Sequence, residues 1–324
     1  MAPQLSWIGL GNMGRGMCLN LIQKGSLDRP LLIYNRTKKR SEDFVGQFGL
    51  EKATVSDSLE ESVSSAEIIF TCLSNDAAVF ETYESIVNGG NTKGKLFVDC
   101  STVHPDSTDK VGKMMVGSGA EFVSSPVFGP PQMAEKGTLI FVTAGPKSSI
   151  ERVRPFIKGV MGQAEITFED KRYSSAAKFK LIGNGFALNM VTQLAESFTL
   201  AEKAGVDPAT VKQLVDMMYG GIYTVYSSRM LGGDYWKLDE PYFSAQNGLK
   251  DASHLIGLSH AAGVELKNAA NGRGYLEELA KIAEPNKSDI TGIYGAVRKA
   301  NGLKYENGSS SSRSRAAHDA STNP

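Results

Sequence analysis

The sequence predicts an α/β protein, in which a parallel, doubly wound sheet is followed by an all-α domain. Three observations predict this fold. Up to residue 172, short apolar runs alternate with segments of helical pattern, which is typical of a parallel sheet with helices on both faces. A glycine-rich turn follows the first apolar run. From residue 173, apolar residues recur at helical spacing almost to the end.

The predicted strands are short apolar runs that end at glycine or polar residues. They are residues 4–10, 31–34, 67–72, 95–100, 120–123 and 139–143. Ligands of open α/β sheets bind beyond the carboxyl ends of the strands. We therefore expect the residues after the first four strands to share one binding edge.

The glycine-rich turn has the pattern GxGxxG, with Gly9, Gly11 and Gly14 between a predicted strand and a predicted helix. The first glycine permits a tight turn, the second lets the backbone approach a pyrophosphate, and the third lets helix and strand pack closely. Glycines also occur in ordinary turns, but this placement favours dinucleotide binding at a helix N-terminus, beside Asn12 and Met13. The first domain is thus predicted to be of the Rossmann type.

The second predicted strand ends at Asn35, Arg36 and Thr37, at the interval where an acidic residue would bind the ribose of NAD. An arginine at this point accommodates a 2′-phosphate instead. We therefore expect NADPH to be preferred over NADH. The alternative is a solvated basic start to a helix.

Lys180 lies in a long, mostly apolar helical segment, and Asn184 follows one turn later on the same face. A buried amine is costly unless it is paired or functional, and lysine suits proton transfer because burial shifts its pKa readily. A lysine that extends to water from a half-buried helix is the alternative from this segment alone. Lys178 is a rival, but it faces elsewhere.

Composition limits the classes of partner. Basic and acidic residues number 35 each, so the formal net charge is zero, which gives no footprint for nucleic acid or for a membrane surface. The three cysteines show no disulfide or metal-ligand spacing, and no apolar run could span a bilayer. We expect a cytoplasmic protein with a small-molecule substrate and no metal. The predicted domains are 1–172 and 173–306, with a disordered tail over 307–324.

Four segments resemble those of one enzyme family, in the same order. They are residues 8–14 (IGLGNMG), the stretch around residues 126–129, the pair Lys180 and Asn184, and Lys250 with Asp251. Over residues 4–305 the chain resembles the β-hydroxyacid dehydrogenases, which include 3-hydroxyisobutyrate dehydrogenase and the 6-phosphogluconate dehydrogenases. Dimers and tetramers are common in that family, so the resemblance implies a homo-oligomer.

The resemblance also implies a reaction and a set of site residues. Hydride would move between a nicotinamide and a carbon that bears oxygen, with Lys180 as general acid and base and Asn184 orienting the substrate. The coenzyme would lie against Gly9, Gly11, Asn12, Met13, Gly14, Asn35, Arg36, Thr37, Leu73, Ser74, Asn75, Thr102 and Lys250. The substrate would lie against Ser101, Val127, Phe128 and Gly129.

Three residues depart from the family pattern: Phe128 replaces a serine, Pro130 a glycine and Gly183 an asparagine. These changes favour a bulkier or less polar substrate than 3-hydroxyisobutyrate. Imine reductases share the architecture but typically carry Asp or Tyr where Lys180 stands. Non-catalytic dehydrogenase-like modules have lost the lysine altogether. Lys180 therefore favours an oxidoreductase acting on a hydroxyl or carbonyl group.

Overall fold

A computed structural model describes residues 2–285 and 287–308 of the chain. Two compact units are present, Met1–Gly183 and Asn184–Pro324, and the division between them falls inside one long helix rather than at residue 172. The predicted tail lies outside the described residues from position 309 onwards.

The first unit contains one nine-stranded sheet, which confirms the predicted fold class. The strands are β1 (Leu5–Ile8), β2 (Leu31–Tyr34), β3 (Ala53–Val55), β4 (Ile68–Thr71), β5 (Leu96–Asp99), β6 (Glu121–Ser124), β7 (Val127–Phe128), β8 (Leu139–Gly145) and β9 (Gly162–Glu169). Strands β1 to β6 run parallel in the order β3-β2-β1-β4-β5-β6, and β8 follows antiparallel to β6. Strand β8 also pairs with β7 and, in parallel, with β9.

All six predicted strands are present, whereas β3, β7 and β9 were not predicted. Strands β3 and β7 have three and two residues, too few to show a periodic pattern. Strand β9 mixes charged and polar residues with apolar ones, and only its first residue is fully buried. An edge position of this kind leaves little hydrophobic signal in the sequence.

Helices cover both faces of the sheet. Alternate side chains of a strand point to opposite faces, so Ile68 and Phe70 of β4 pack into one core while Ile69 packs into another. The helices of this unit are α1 (Asn12–Lys24), α2 (Lys38–Val45), α3 (Leu59–Ser64), α4 (Asp76–Asn88), α5 (Pro105–Gly117), α6 (Pro131–Lys136) and α7 (Lys147–Val153), followed by a 3₁₀ turn at Arg154–Phe156.

The regular elements described in the second unit are all helices. Helix α8 (Ser174–Lys203) begins in the first unit and continues into the second. The other helices are α9 (Pro208–Met218), α10 (Gly221–Gly232), α11 (Asp234–Lys237), α12 (Ala245–Ala261), α13 (Lys267–Ile282) and α14 (Ile293–Ala300), with a 3₁₀ turn at Ile290–Gly292. The Asp207 side chain caps α9, accepting a hydrogen bond from the Ala209 amide.

Four glycines punctuate the stretch from 220 to 233, a sequence pattern that indicates irregular backbone. The structure instead has helix α10 there. The glycines mark its two ends: Gly220 precedes it at φ 57° and Gly233 ends it at φ 81°. A left-handed glycine is a common helix terminator, so the glycines bound the helix rather than break it.

None of the described helices combines the length and the apolar character that crossing a membrane would need.

Candidate active site

The glycine-rich turn between β1 and α1 leaves room for a ligand. Gly9 has φ +102°, and a Cβ there would lie 2.3 Å from the Cys72 carbonyl oxygen. A Cβ on Gly14 would lie 2.2 Å from the Gly9 oxygen, whereas a Cβ on Gly11 would meet nothing within 4 Å. The first and third glycines are therefore required by packing, and the open space at Gly11 fits the close approach of a pyrophosphate.

Helix α1 presents its N-terminus at this turn. Gly11 precedes the helix without a side-chain cap, and no acidic residue lies in the first turn. Asn12 and Met13 are half-buried there, and the Asn12 side-chain oxygen accepts a hydrogen bond from Arg15. An uncapped N-terminus of a 13-residue helix suits a phosphate anion, because its first N–H groups have no partner within the helix.

Asn35 links the end of β2 to the glycine-rich turn. Its side-chain oxygen accepts a hydrogen bond from the Leu10 amide at 3.0 Å, and its Nδ2 donates to the Thr37 carbonyl at 3.1 Å. Both bonds are internal, so the side chain acts as a brace between two of the predicted coenzyme segments.

The basic residues after Asn35 differ in their partners. Lys38 pairs with Asp57, and Lys39 with Asp43, each at 2.7 Å. Arg36 is exposed and, within residues 2–285 and 287–308, has no carboxylate at ion-pair distance. Its guanidinium thus keeps its capacity to bind an external anion.

Asp99 organises the ends of β4 and β5. It is 2% exposed, and its Oδ1 accepts hydrogen bonds from Thr71 Oγ1 at 2.8 Å, Ser101 Oγ at 2.6 Å and the Ser101 amide at 3.1 Å. Ser101 Oγ in turn accepts a bond from the Leu73 amide at 2.8 Å. Burial raises the pKa of the Asp99 carboxyl, and the hydrogen bonds from Ser101 and Thr71 oppose that rise.

The predicted site residues that follow β4 and β5 differ in their exposure and in their hydrogen bonds. The hydroxyl of Ser101, expected at the substrate, is buried and bonded on both sides. Asn75 caps α4 by accepting from the Ala78 amide at 2.9 Å. Ser74 is exposed, and Leu73 and Thr102 are half-buried.

Sequence reasoning missed Asp99. The sequence feature that could have indicated it is a carboxylate inside the mostly apolar run KLFVDC.

The predicted substrate loop is partly a strand. Val127 and Phe128 form β7 and pair with Phe141 and Ile140 of β8. The Val127 side chain is buried and Phe128 is half-buried. Gly129 has φ +128°, and a Cβ there would lie 2.8 Å from Leu139 Cδ2. The segment is therefore held by the sheet and by packing.

Lys180 projects from α8 over the Phe128 ring. Its side chain is 9% exposed, and its Nζ lies 4.4 Å from the ring centroid. Lys178, two residues earlier, is exposed. The helix therefore buries the lysine that has Asn184 one turn further on, and directs the other lysine to solvent.

In the second unit, the polar side chains of Asn184, Lys250 and Asp251 contact one another. Asn184 Nδ2 donates to Asp251 Oδ2 at 2.7 Å, and Lys250 Nζ lies 3.3 Å from Asp251 Oδ1. Asp251 is 5% exposed and lies with Asn184 in a cavity lined otherwise by apolar residues and glycines such as Gly248 and Leu255. In the sequence Asp251 stands out only as the neighbour of Lys250. In the structure it contacts both Asn184 and Lys250, the two predicted site residues of this unit.

The open glycine turn at the strand ends, an arginine with no carboxylate partner among the described residues and a buried lysine on α8 fit an NAD(P)-dependent oxidoreductase. No group of three or more metal-ligating side chains occurs among the described residues. The chain belongs to the β-hydroxyacid dehydrogenase family, because residues 4–168 match the NAD-binding domain of 6-phosphogluconate dehydrogenase.

Known relatives and structures agree with this family. The NADH-dependent oxidoreductase ucdB of Aspergillus ustus is 31% identical over 294 residues, which cover 90% of this chain and 98% of the relative. The structure of 3-hydroxyisobutyrate dehydrogenase of Mycobacterium tuberculosis with L-serine has a TM-score of 0.76 at 21% identity, covering 92% of this chain and all of that one.

A further structure is Psf3 in complex with NADP⁺ and 2-OPP. It has a TM-score of 0.79 at 18% identity and covers 90% of this chain and 99% of that one. At such identities the structural likeness establishes the fold alone, so the activity has to be argued from this chain's own residues.

Replacement of Asp99 by alanine should destabilise the first unit. Thr71 and Ser101 would lose their buried acceptor, and buried donors without partners cost about 1–3 kcal/mol each. We expect the free energy of unfolding, measured with urea, to fall by about 2–4 kcal/mol. The control is Asp43→Ala, which removes an exposed pair with Lys39 and should cost about 0.5 kcal/mol or less. Equal effects of the two changes would contradict the role of Asp99.

Proposed function

We propose that the protein transfers a hydride between NADPH and a small hydroxy or carbonyl compound, with Lys180 as the general acid and base. The observation that carries this proposal is a buried lysine on α8, one helical turn before an asparagine. Burial of an amine is costly, and helix α8 exposes Lys178 close by while it buries Lys180. A role in catalysis would account for the burial of Lys180.

The chemistry assigned to these residues is proton transfer and orientation. The bound nicotinamide would supply the hydride in reduction and accept it in oxidation. Lys180 Nζ would donate a proton to the carbonyl oxygen in reduction and remove it from the hydroxyl in oxidation. Asn184 would hydrogen-bond the same oxygen, with its amide held by Asp251. Lys250 would bind coenzyme or substrate from its ion pair with Asp251.

The preference for NADPH rests on Arg36. Position 35 carries an asparagine whose side chain braces the glycine turn, so no carboxylate is placed there for a ribose. Arg36 is exposed, without an ion pair to the described residues, and a guanidinium binds phosphate through two parallel hydrogen bonds. The relative named as NADH-dependent makes this preference a property to measure in this chain.

A homo-oligomer in the cytoplasm completes the proposal. In the second unit, α8 exposes Phe186 to 77% and Leu200 to 69%. Large apolar side chains exposed on one element are typical of an interface. The three cysteines are free thiols, as suits a reducing compartment.

Replacement of Lys180 by alanine should lower kcat by about 10²–10⁴-fold, the usual contribution of a general acid or base. Coenzyme binding and thermal stability should change little, because the glycine turn and the Asp99 network are untouched. Steady-state kinetics and coenzyme fluorescence titration measure these effects. Lys178→Ala, an exposed change on the same helix, is the control and should keep wild-type kcat. A Lys180 variant with near-normal kcat would reject the assignment.

Replacement of Arg36 by alanine should raise KM for NADPH by about tenfold or more, because a charge-assisted hydrogen bond contributes about 1.5–3 kcal/mol. KM for NADH should hardly change, since NADH lacks the 2′-phosphate. Lys38→Ala, whose amine is already paired with Asp57, is the matched control. If wild-type protein shows a higher kcat/KM with NADH, the assigned coenzyme preference is wrong.

A further inference from the structure

The ring of Phe128 is fixed from one side by an aromatic cluster. Phe179 meets it edge to face, with centroids 6.1 Å apart, and Phe168 packs against Phe179 at 5.7 Å. All three rings pack on the small buried core around Val142 and Ala176. Strand pairing through β7 fixes the backbone of Phe128 as well. The ring is therefore held in place by its surroundings.

Gly183 is the complement of this ring on α8. A Cβ at that position would lie 2.3 Å from Phe128 Cζ and 2.4 Å from Cε1. No other residue type fits unless the ring moves. Glycine in a helix interior is unfavourable, so α8 accepts a local cost at the place where the ring of Phe128 enters.

The face of the same ring lies against Lys180. Its ammonium is 4.4 Å from the centroid, a distance at which the negative face of the ring attracts a cation. Lys180 and Gly183 are three residues apart, so they share one face of α8. A single side chain, Phe128, thus contacts both the lysine assigned to proton transfer and the helix backbone beside it.

The segment that carries Phe128 is poor in hydrogen-bond donors. Residues 126–130 read Pro-Val-Phe-Gly-Pro, so no side chain can donate, and the two prolines lack an N–H group. Val127 and Phe128 are paired with β8 in the sheet. A carboxylate placed against this ring would lose water, would find no side-chain donor in residues 126–130 and would face the negative side of the ring, all of which are unfavourable.

We propose that Phe128 is a specificity-determining residue, which selects carbonyl substrates with a neutral group a few bonds from the carbonyl carbon over substrates that carry a carboxylate there. The ring fills the space over Gly183, presents an apolar wall, and meets the cation of Lys180 with its π face. This inference rests on the proposed function and adds the class of its substrate.

The kinetic test compares succinic semialdehyde with its methyl ester, which differ in the charge of one group. Wild-type protein should show at least about a tenfold higher kcat/KM for the ester, because a carboxylate loses its hydration against the apolar ring and the neutral ester does not. In Phe128→Ser, which introduces a hydroxyl donor, the ratio should fall by about tenfold or more. Phe128→Leu, an apolar control, should keep the preference for the ester.

A binding test needs no turnover. Isobutyramide and isobutyrate, titrated calorimetrically into the protein with NADP⁺ bound, should bind wild-type protein with the neutral amide favoured, and Phe128→Ser should narrow that preference. Gly183→Ala should destabilise the protein in the wild-type background but much less in the Phe128→Ser background, since the colliding ring is then absent. The double variant also fills the space that the serine leaves and keeps the test possible if the single variant fails to fold.

The outcomes distinguish failure of the role of Phe128 from failure of the proposed oxidoreductase reaction. Wild-type protein that reduces the acid as fast as the ester overturns the role of Phe128 and leaves the oxidoreductase proposal standing. An unchanged substrate ratio in Phe128→Ser has the same meaning. If neither aldehyde is reduced with either coenzyme, the proposed reaction fails, and the binding preference of wild-type and Phe128→Ser protein still decides whether the ring selects neutral groups.

Discussion

The buried carboxylate of Asp99 is the constraint on which the binding edge of the first unit depends. A parallel sheet brings its strand ends together but does not by itself fix the loops that leave them. Asp99 does so by accepting three hydrogen bonds from Thr71 and Ser101, and Ser101 passes the connection to the Leu73 amide. These hydrogen bonds offset part of the cost of burying the carboxylate, whereas the loss of one member leaves the others with the full desolvation cost.

The glycine turn is braced in a different way. Its conformation is set by the tight packing of Gly9 and Gly14 and by the bond between Leu10 and Asn35. Only Gly11 remains open. The two devices together hold a rigid surface in which the open positions are those that a pyrophosphate needs, so coenzyme binding would require little rearrangement of the backbone.

Local patterns predicted the fold and the position of the glycine turn well, because both depend on residues that are close in sequence. The apolar runs, the GxGxxG spacing and the helical period after residue 173 are all of this kind. The glycines around 220 and 233 misled because a glycine that ends a helix and one that breaks it look alike until the backbone angles are known.

The parts of the site that sequence reasoning missed depend on partners far away in the chain. Asp99 reaches Thr71, 28 residues earlier, and Asp251 reaches Asn184, 67 residues earlier. Phe128 and Gly183 were noted only as two separate departures from a family pattern. In the structure they are one feature, because the ring of the first occupies the volume where a side chain of the second would lie. Residues that look like independent substitutions in a sequence can thus be coupled through a single excluded volume.

That coupling bears on how the site would work. An amine used for proton transfer has to be held while its charge changes. A carboxylate partner would bind the ammonium strongly and oppose loss of the proton, whereas an aromatic face attracts the cation weakly and packs equally well against the neutral amine. The ring of Phe128 is therefore a contact of Lys180 that is compatible with both protonation states of the amine. Under the proposed role of Phe128, the same ring would both contact the proton donor and set the charge of the substrate that the site accepts.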